Sequence, residues 1–176
     1  MEKSFEKCQE ITEMGIGTRV EIDFIDVLNE NEGILVGNTA QGYVRILAEC
    51  RQTDTYPPRP FRVNAGAIHQ YIYVGDNKTK YLADIKAGDS ILVTDGINNR
   101  QVTVGRVKIE KREFIRVVFN PTTSATLQKA DSIFLAGKDG AIHFMDIDDN
   151  SYFETYSDIG VARHKGELID EEITEK

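Results

Sequence analysis

The stretch QVTVGRVKIEK, residues 101–111, followed after Arg112-Glu113 by FIRVVF, residues 114–119, alternates apolar and polar side chains with the period of an extended strand. Successive side chains of a strand point to opposite faces. Arg106, Lys108 and Arg112, with Glu110 among them, therefore fall on one face of the first segment and its continuation. That face either lines an anionic pocket or is simply solvated.

Outward from this stretch the same texture repeats. Short runs rich in Val, Ile, Phe and Tyr are predicted as strands at Val20–Ile25, Gly33–Val36, Tyr43–Leu47, Ala67–Val74, Ser90–Val93, Ala125–Gln128, Ser132–Leu135 and Tyr152–Tyr156. Turn signals such as Asn31-Glu32-Gly33, Asp95-Gly96 and Asp139-Gly140 separate them. The pattern predicts a mainly β protein of small antiparallel barrel or sandwich units with little helix. Residues 3 to 14 read two ways. Phe5, Cys8, Ile11 and Met14 recur every three positions as on a helix, while Cys8–Thr12 equally suits a strand entering the Gly15-Ile16-Gly17 turn.

A weak internal repeat links Gly17–Asp23 and Ile34–Gly37 with Gly88–Thr94 and Val102–Gly105, with a fainter third copy from Asp149. Leu82-Ala83-Asp84-Ile85 and Phe144-Met145-Asp146-Ile147 recur as a common device before a tight turn. One domain is expected over 1–176, built of sub-units near 7–56, 57–119 and 120–176.

Composition narrows the function. The 176 residues carry a formal charge of −8, with pI near 4.9, which argues against coating a nucleic acid or an anionic membrane. Cys8 and Cys50 lack partners at metal-ligand spacing and read as reduced core thiols. No apolar run is long enough to span a bilayer, and MEKSFEKCQE has no signal-peptide core, so a cytoplasmic location is expected. There is no Rossmann fingerprint, P-loop or G-x-S-x-G. Asp146, Asp148 and Asn150 imitate a calcium loop, but Ser151 stands where its glycine belongs. His69, His143 and His164 are too scattered to read as ligands, which gives no metal site and leaves dependence on a divalent metal open.

The densest run of functional side chains is RPFRVNAGAIHQY, Arg59–Tyr71. Arg59 and Arg62 are suited to bidentate capture of carboxylate or phosphate. Ala65, Gly66 and Ala67 permit close approach of another backbone or of a ligand. On a strand from Ala67, period two places His69, Tyr71 and Tyr73 on one face, where His69 would serve as acid or base beside the arginines. The structural alternative ties the arginines to acidic neighbours and makes His69 a hydrogen-bonded wall residue. Arg163-His164-Lys165 forms a further basic cluster near the C-terminus.

The run Arg59–Tyr71 resembles a hallmark of the type II, archaeal-type 3-dehydroquinate synthase family. The likeness continues through Met14–Asp23, Glu32–Gly37, Lys78–Val93, Val104–Arg112, Ala125–Ile133 and Arg163–Gly166. It covers the chain from about Glu10 and corresponds to that family's C-terminal half, present here without the N-terminal half. The resemblance implies an enzyme that uses NAD to deaminate an amino keto-sugar acid oxidatively and cyclise it to 3-dehydroquinate for aromatic amino-acid synthesis. A related branch is implied to form 3-amino-4-hydroxybenzoate. By position in the resembling segments, Arg59, Arg62, Asn64, Tyr71, Lys108, Arg163 and His164 are expected to hold an anionic substrate, and His69 to transfer protons. The chain differs at Asn38–Gly42, where the family is serine-rich, at Arg45–Glu49, and at Asp149–Ser151. The expected partners are a small anionic metabolite and a separately encoded N-terminal-half protein, and the many edge strands lend themselves to homo-oligomers. A non-catalytic accessory or metabolite-binding module is the competing expectation.

Overall fold

The computed structural model describes residues 2–55, 57–157 and 175, and the backbone of 162–165 and 167–168. Within it the chain is antiparallel β almost throughout, with two single 3-10 turns, Leu82–Asp84 and Phe144–Asp146, as the helical elements among the described residues.

The organising element is the segment that opened the sequence reading. Its two predicted strands are one, β9 (Asn99–Asn120), because a single partner runs alongside the join. That partner is β2 (Glu10–Phe24), paired with β9 from Glu10↔Val118 to Phe24↔Val104. A bulge at Glu13/Gly15 absorbs the bend, and Gly15 takes φ +75 there. On its other edge β9 pairs first with β8 (Ser90–Thr94) and last with β10 (Thr123–Gln128). The strand β5 (Arg62–Ala67) lies on the far edge of β2.

A second group of strands centres on β3 (Gly33–Thr39) and β4 (Gly42–Leu47). β3 continues to β6 (Tyr71–Gly75) and β7 (Lys78–Tyr81). β4 continues to β11 (Phe134–Gly137) and β13 (Tyr152–Ser157), and β11 forms a hairpin with β12 (Gly140–His143). β1 (Glu2–Lys7) closes this side against β13, while β14 (Ala162–Lys165) pairs in parallel with β7 and antiparallel with β15 (Glu167–Leu168). The ambiguity over residues 3 to 14 thus resolves as strand. Phe5, Ile11 and Met14 are each more than two-fifths exposed and do not form the buried face a helix would need.

The two related sequences at 82–85 and 144–147 occupy equivalent places: each 3-10 turn follows a hairpin, β6–β7 or β11–β12, and precedes the strand β8 or β13. One apolar core runs between the two groups of strands. Val20, Ile22 and Phe24 of β2, Val63 and Ala65 of β5, and Ala125 and Leu127 of β10 all face it. A smaller tyrosine-rich cluster contains Tyr43, Tyr71, Tyr73 and Tyr156.

The predicted strand Ala67–Val74 requires correction. The chain turns at Ile68–Gln70 between β5 and β6, so His69 sits on a turn rather than on a strand face with Tyr71 and Tyr73. Gly66 and Gln70 account for the break. Gly66 takes φ +88, and a Cβ there would lie 2.3 Å from the Thr126 carbonyl oxygen. The fully buried Gln70 side chain donates to the carbonyls of Ala65 (3.1 Å) and Thr126 (3.0 Å) and accepts from the Thr126 amide (2.8 Å). The small residues of the motif therefore admit the backbone of β10.

Candidate functional site

The alternation that sends Val20, Ile22 and Phe24 into the core sends Arg19, Glu21 and Asp23 to the opposite face of β2. The registers of the neighbouring strands extend this into a charged ladder. Arg62 on β5 and Arg106 on β9 flank Asp23, Asn64 and Lys108 flank Glu21, and Glu110 lies opposite Arg19, with Arg112 opposite Gly17. Asp23, 2% exposed at its side chain, is gripped by Arg62 Nε (2.8 Å) and Arg106 Nε (2.8 Å). Arg62 Nε also lies 3.1 Å from Glu21. Arg19 bridges Glu110 at 2.8 Å and the Gln128 side-chain oxygen at 3.0 Å, and Asn64 donates to that same oxygen at 2.7 Å.

Above this ladder opens a cleft of about 240 Å³, walled on the other side by the segment between β4 and β5 and by the approach to β11. Its cationic lining is Arg19, Arg51, Arg59, Arg62, Lys108 and Arg112, against the carboxylates Glu21, Glu49 and Glu110. Six cations face three carboxylates on a chain whose formal charge is −8. The excess is local and aimed inward, the arrangement that concentrates a small anion.

The cations differ in how far they are engaged. Arg62 is committed to carboxylates, which raise its already high pKa. The Arg112 guanidinium, with Arg19 behind it, holds Glu110 below the usual carboxylate range. Among the described residues the Arg59 side chain donates to the carbonyls of Pro57 and Pro58 and makes no ion pair, and Lys108 makes none either. Arg19 Nε and Arg51 Nη1 are buried without a hydrogen-bond acceptor among the described residues.

Of the residues singled out in the sequence, Arg59, Arg62, Asn64 and Lys108 come together here. Asn64 is 2% exposed and engaged at both ends, by Gln128 and by the Gly66 amide. Tyr71 lies elsewhere, in the tyrosine cluster, stacked on Tyr81 at 4.6 Å with its hydroxyl donating to the Tyr81 hydroxyl at 3.0 Å. His69 is outside the cleft as well. Its Nε2 is 2.7 Å from Asn38 Oδ1, an oxygen that can only accept, so the proton resides on Nε2, and burial of the ring lowers its pKa. Arg163 and His164 belong to β14, whose side chains lie outside the described residues. Arg19, Glu21, Glu49 and Arg51 join the site unforeseen.

A dinucleotide does not fit this cleft. The cleft is below the roughly 300 Å³ at which pockets for drug-sized ligands begin, and no helix N-terminus to receive a pyrophosphate exists among the described residues. No group of three or more His, Cys, Asp or Glu side chains able to hold a metal ion occurs among them either. No helix is long and apolar enough to cross a membrane.

Fold and cleft together define an all-β domain that presents a cation-rich pocket on the outward face of three adjacent strands. Comparison with known proteins places it further. Residues 6–176 match the family described as 3-dehydroquinate synthase II C-terminal domain, and the chain belongs to that family. A 3-dehydroquinate synthase homolog of Aquifex aeolicus is 39% identical over 175 residues, covering 97% of this chain and 53% of that protein. The 3-dehydroquinate synthase of Methanospirillum hungatei is 40% identical over 167 residues, covering 92% and 51%, and that of Methanopyrus kandleri 38% over 179 residues, covering 97% and 44%. The chain thus spans about half the length of the curated relatives it matches. No solved structure matches.

Proposed function

We propose that this chain is the substrate-anchoring part of a 3-dehydroquinate synthase II-like enzyme, its cleft holding the anionic end of an amino keto-sugar acid while the substrate is deaminated and cyclised. The observation that carries the reading is the composition of the cleft, six cations against three carboxylates, with Arg51, Arg59 and Lys108 in no ion pair among the described residues. A carboxylate or phosphate would pair with such cations and neutralise the excess charge. In this reading Arg59 and Lys108, two of the three cations without carboxylate partners among the described residues, Arg51 being the third, close on the ligand from opposite walls, and Arg62 is the fixed post between them. Orientation is the contribution such a clamp makes, because a substrate fixed at one end presents its reacting end in one geometry. The remaining chemistry, including the NAD that the family resemblance implies, falls to the portion of the relatives that this chain does not span, whether covalently continuous or a separate partner.

The test uses two of the three unpaired cations, Arg59 and Lys108, whose removal strands no buried carboxylate. Wild type is expected to bind inorganic sulfate and small dicarboxylates by calorimetry, and Arg59→Ala combined with Lys108→Ala to lose about tenfold or more in affinity with an unchanged melting temperature. Equal affinity in the two proteins would sink the reading. Turnover of an amino keto-sugar acid with NAD by the chain supplemented with a relative's N-terminal half is the expected result for the enzyme, and anion binding without any turnover in that mixture would instead identify a metabolite-binding accessory.

A further inference from the structure

Glu49 stands apart from the other carboxylates of the cleft. Glu21 and Glu110 each lie within 3.5 Å of an arginine nitrogen. Among the described residues Glu49 forms an ion pair with Arg62 alone, at 4.0 Å, and that guanidinium is already shared by Asp23 and Glu21. Its position is nevertheless well fixed. The Glu49 amide donates to the Arg62 carbonyl at 2.8 Å and the Arg59 amide donates to the Glu49 carbonyl at 2.7 Å, so its backbone is clamped between the two arginines of the motif. The side chain is 12% exposed and forms part of the cleft wall. Burial raises its pKa, opposed by the Ser132 hydroxyl and assisted by repulsion from Glu21, while Arg62 and Arg19 pull the other way.

We infer that Glu49 is the proton-exchanging group of the cleft, taking up a proton as an anion docks beside Arg62 and releasing it as the anion leaves. This rests on the anion-site reading and deepens it. A bound anion adds a second negative charge close to a carboxylate that has no cation of its own, which favours its neutral form. The proton comes from solvent to a Glu49 carboxylate oxygen, with no bond of the ligand altered. Once protonated, the carboxyl becomes a donor that this wall can present to a ligand oxygen. The groups that decide the equilibrium are Glu21 and Arg19 from β2, Arg62 from β5, and Ser132 from the segment leading into β11.

The experiment is calorimetric titration of the full chain with sodium sulfate between pH 5 and 8, in paired buffers of different ionisation enthalpy. Wild type is expected to take up protons on binding and to lose affinity as pH rises through the Glu49 titration. Glu49→Gln is expected to show neither effect and, at pH 8, to bind sulfate about tenfold more tightly than wild type, the equivalent of one unit of coupling. His69→Ala should retain the wild-type uptake. Uptake that persists unchanged in Glu49→Gln, or none in a wild type that binds sulfate, overturns the inference alone. Absence of sulfate binding by wild type overturns the anion-site reading with it. A carbon-13 titration of the wild-type Glu49 carboxyl gives a check independent of any variant: its midpoint should move up in pH when sulfate is added, and an unmoved midpoint rejects the proposal.

Discussion

Two arginine clusters in this molecule are built from the same kinds of side chain and do opposite things. Arg45 on β4 meets Glu154 on β13 through two contacts of 3.1 Å, donates also to the Asn31 carbonyl, and has Tyr156 hydrogen-bonded to the same carboxylate. Arg45 and Glu154 are 6% and 5% exposed, one cation against one carboxylate, and Gly96 closes over them, since a Cβ there would lie 2.9 Å from the guanidinium. The carboxylate and burial together push the Tyr156 hydroxyl pKa far up, so it stays protonated as a donor. In the cleft between β5, β2 and β9, by contrast, cations outnumber carboxylates and two arginine N–H groups have no acceptor among the described residues. Stoichiometry separates a strut from a binding site; the presence of arginine does not.

The largest effect expected from this contrast is at the strut. Glu154→Gln leaves the Arg45 charge buried and uncompensated and should cost about 3–5 kcal/mol in denaturant unfolding, with sulfate affinity unchanged in the folded fraction. Replacing Arg45→Met and Glu154→Leu together should recover most of that loss, and failure to recover would show that the pair does more than neutralise itself.

A smaller effect, with a definite sign, is expected at Glu49. Because its folded pKa is raised, its contribution to stability is fully present below the unfolded value and is lost as pH rises through the folded one. The melting temperatures of wild type and Glu49→Gln should therefore coincide in acid and separate in favour of glutamine toward pH 8. A gap that instead opened in favour of wild type would mean that Glu49 is a strut like Glu154.

The smallest effect is expected at His69. Its replacement by alanine removes one hydrogen bond to Asn38, worth about 1 kcal/mol, and should leave anion affinity untouched. Lost affinity would return His69 to the site.

Much of this was legible beforehand. Alternation located most strands, and the charges at 106, 108, 110 and 112 do share a face, because β2 pairs with β9 through all of them. The same signal stood unread in Arg19-Val20-Glu21-Ile22-Asp23, where every second residue is charged between core positions. What alternation could not convey was the turn at Ile68–Gln70. There an apolar, β-prone run is interrupted by a glycine at positive φ and by a glutamine whose amide substitutes for strand pairing against Thr126. Glu49 and Arg51 escaped for another reason. The place of Glu49 in the cleft is set by hydrogen bonds from Arg59 and to Arg62, and that of Arg51 by its bond to the Glu30 carbonyl, contacts between segments that no local pattern encodes.

The unbroken run of β9 has a mechanical consequence. One strand of 22 residues passes from its pairing with β8, along the cleft floor, to its pairing with β10, and β2 splints it across the middle. A floor of that kind has no hinge, since hinges are a few terminal or loop residues that absorb large backbone rotations. Closure over a ligand must therefore come from the opposite wall, residues 48–61, or from a second body lowered onto the cleft, while the ladder beneath stays still like the anvil under a press.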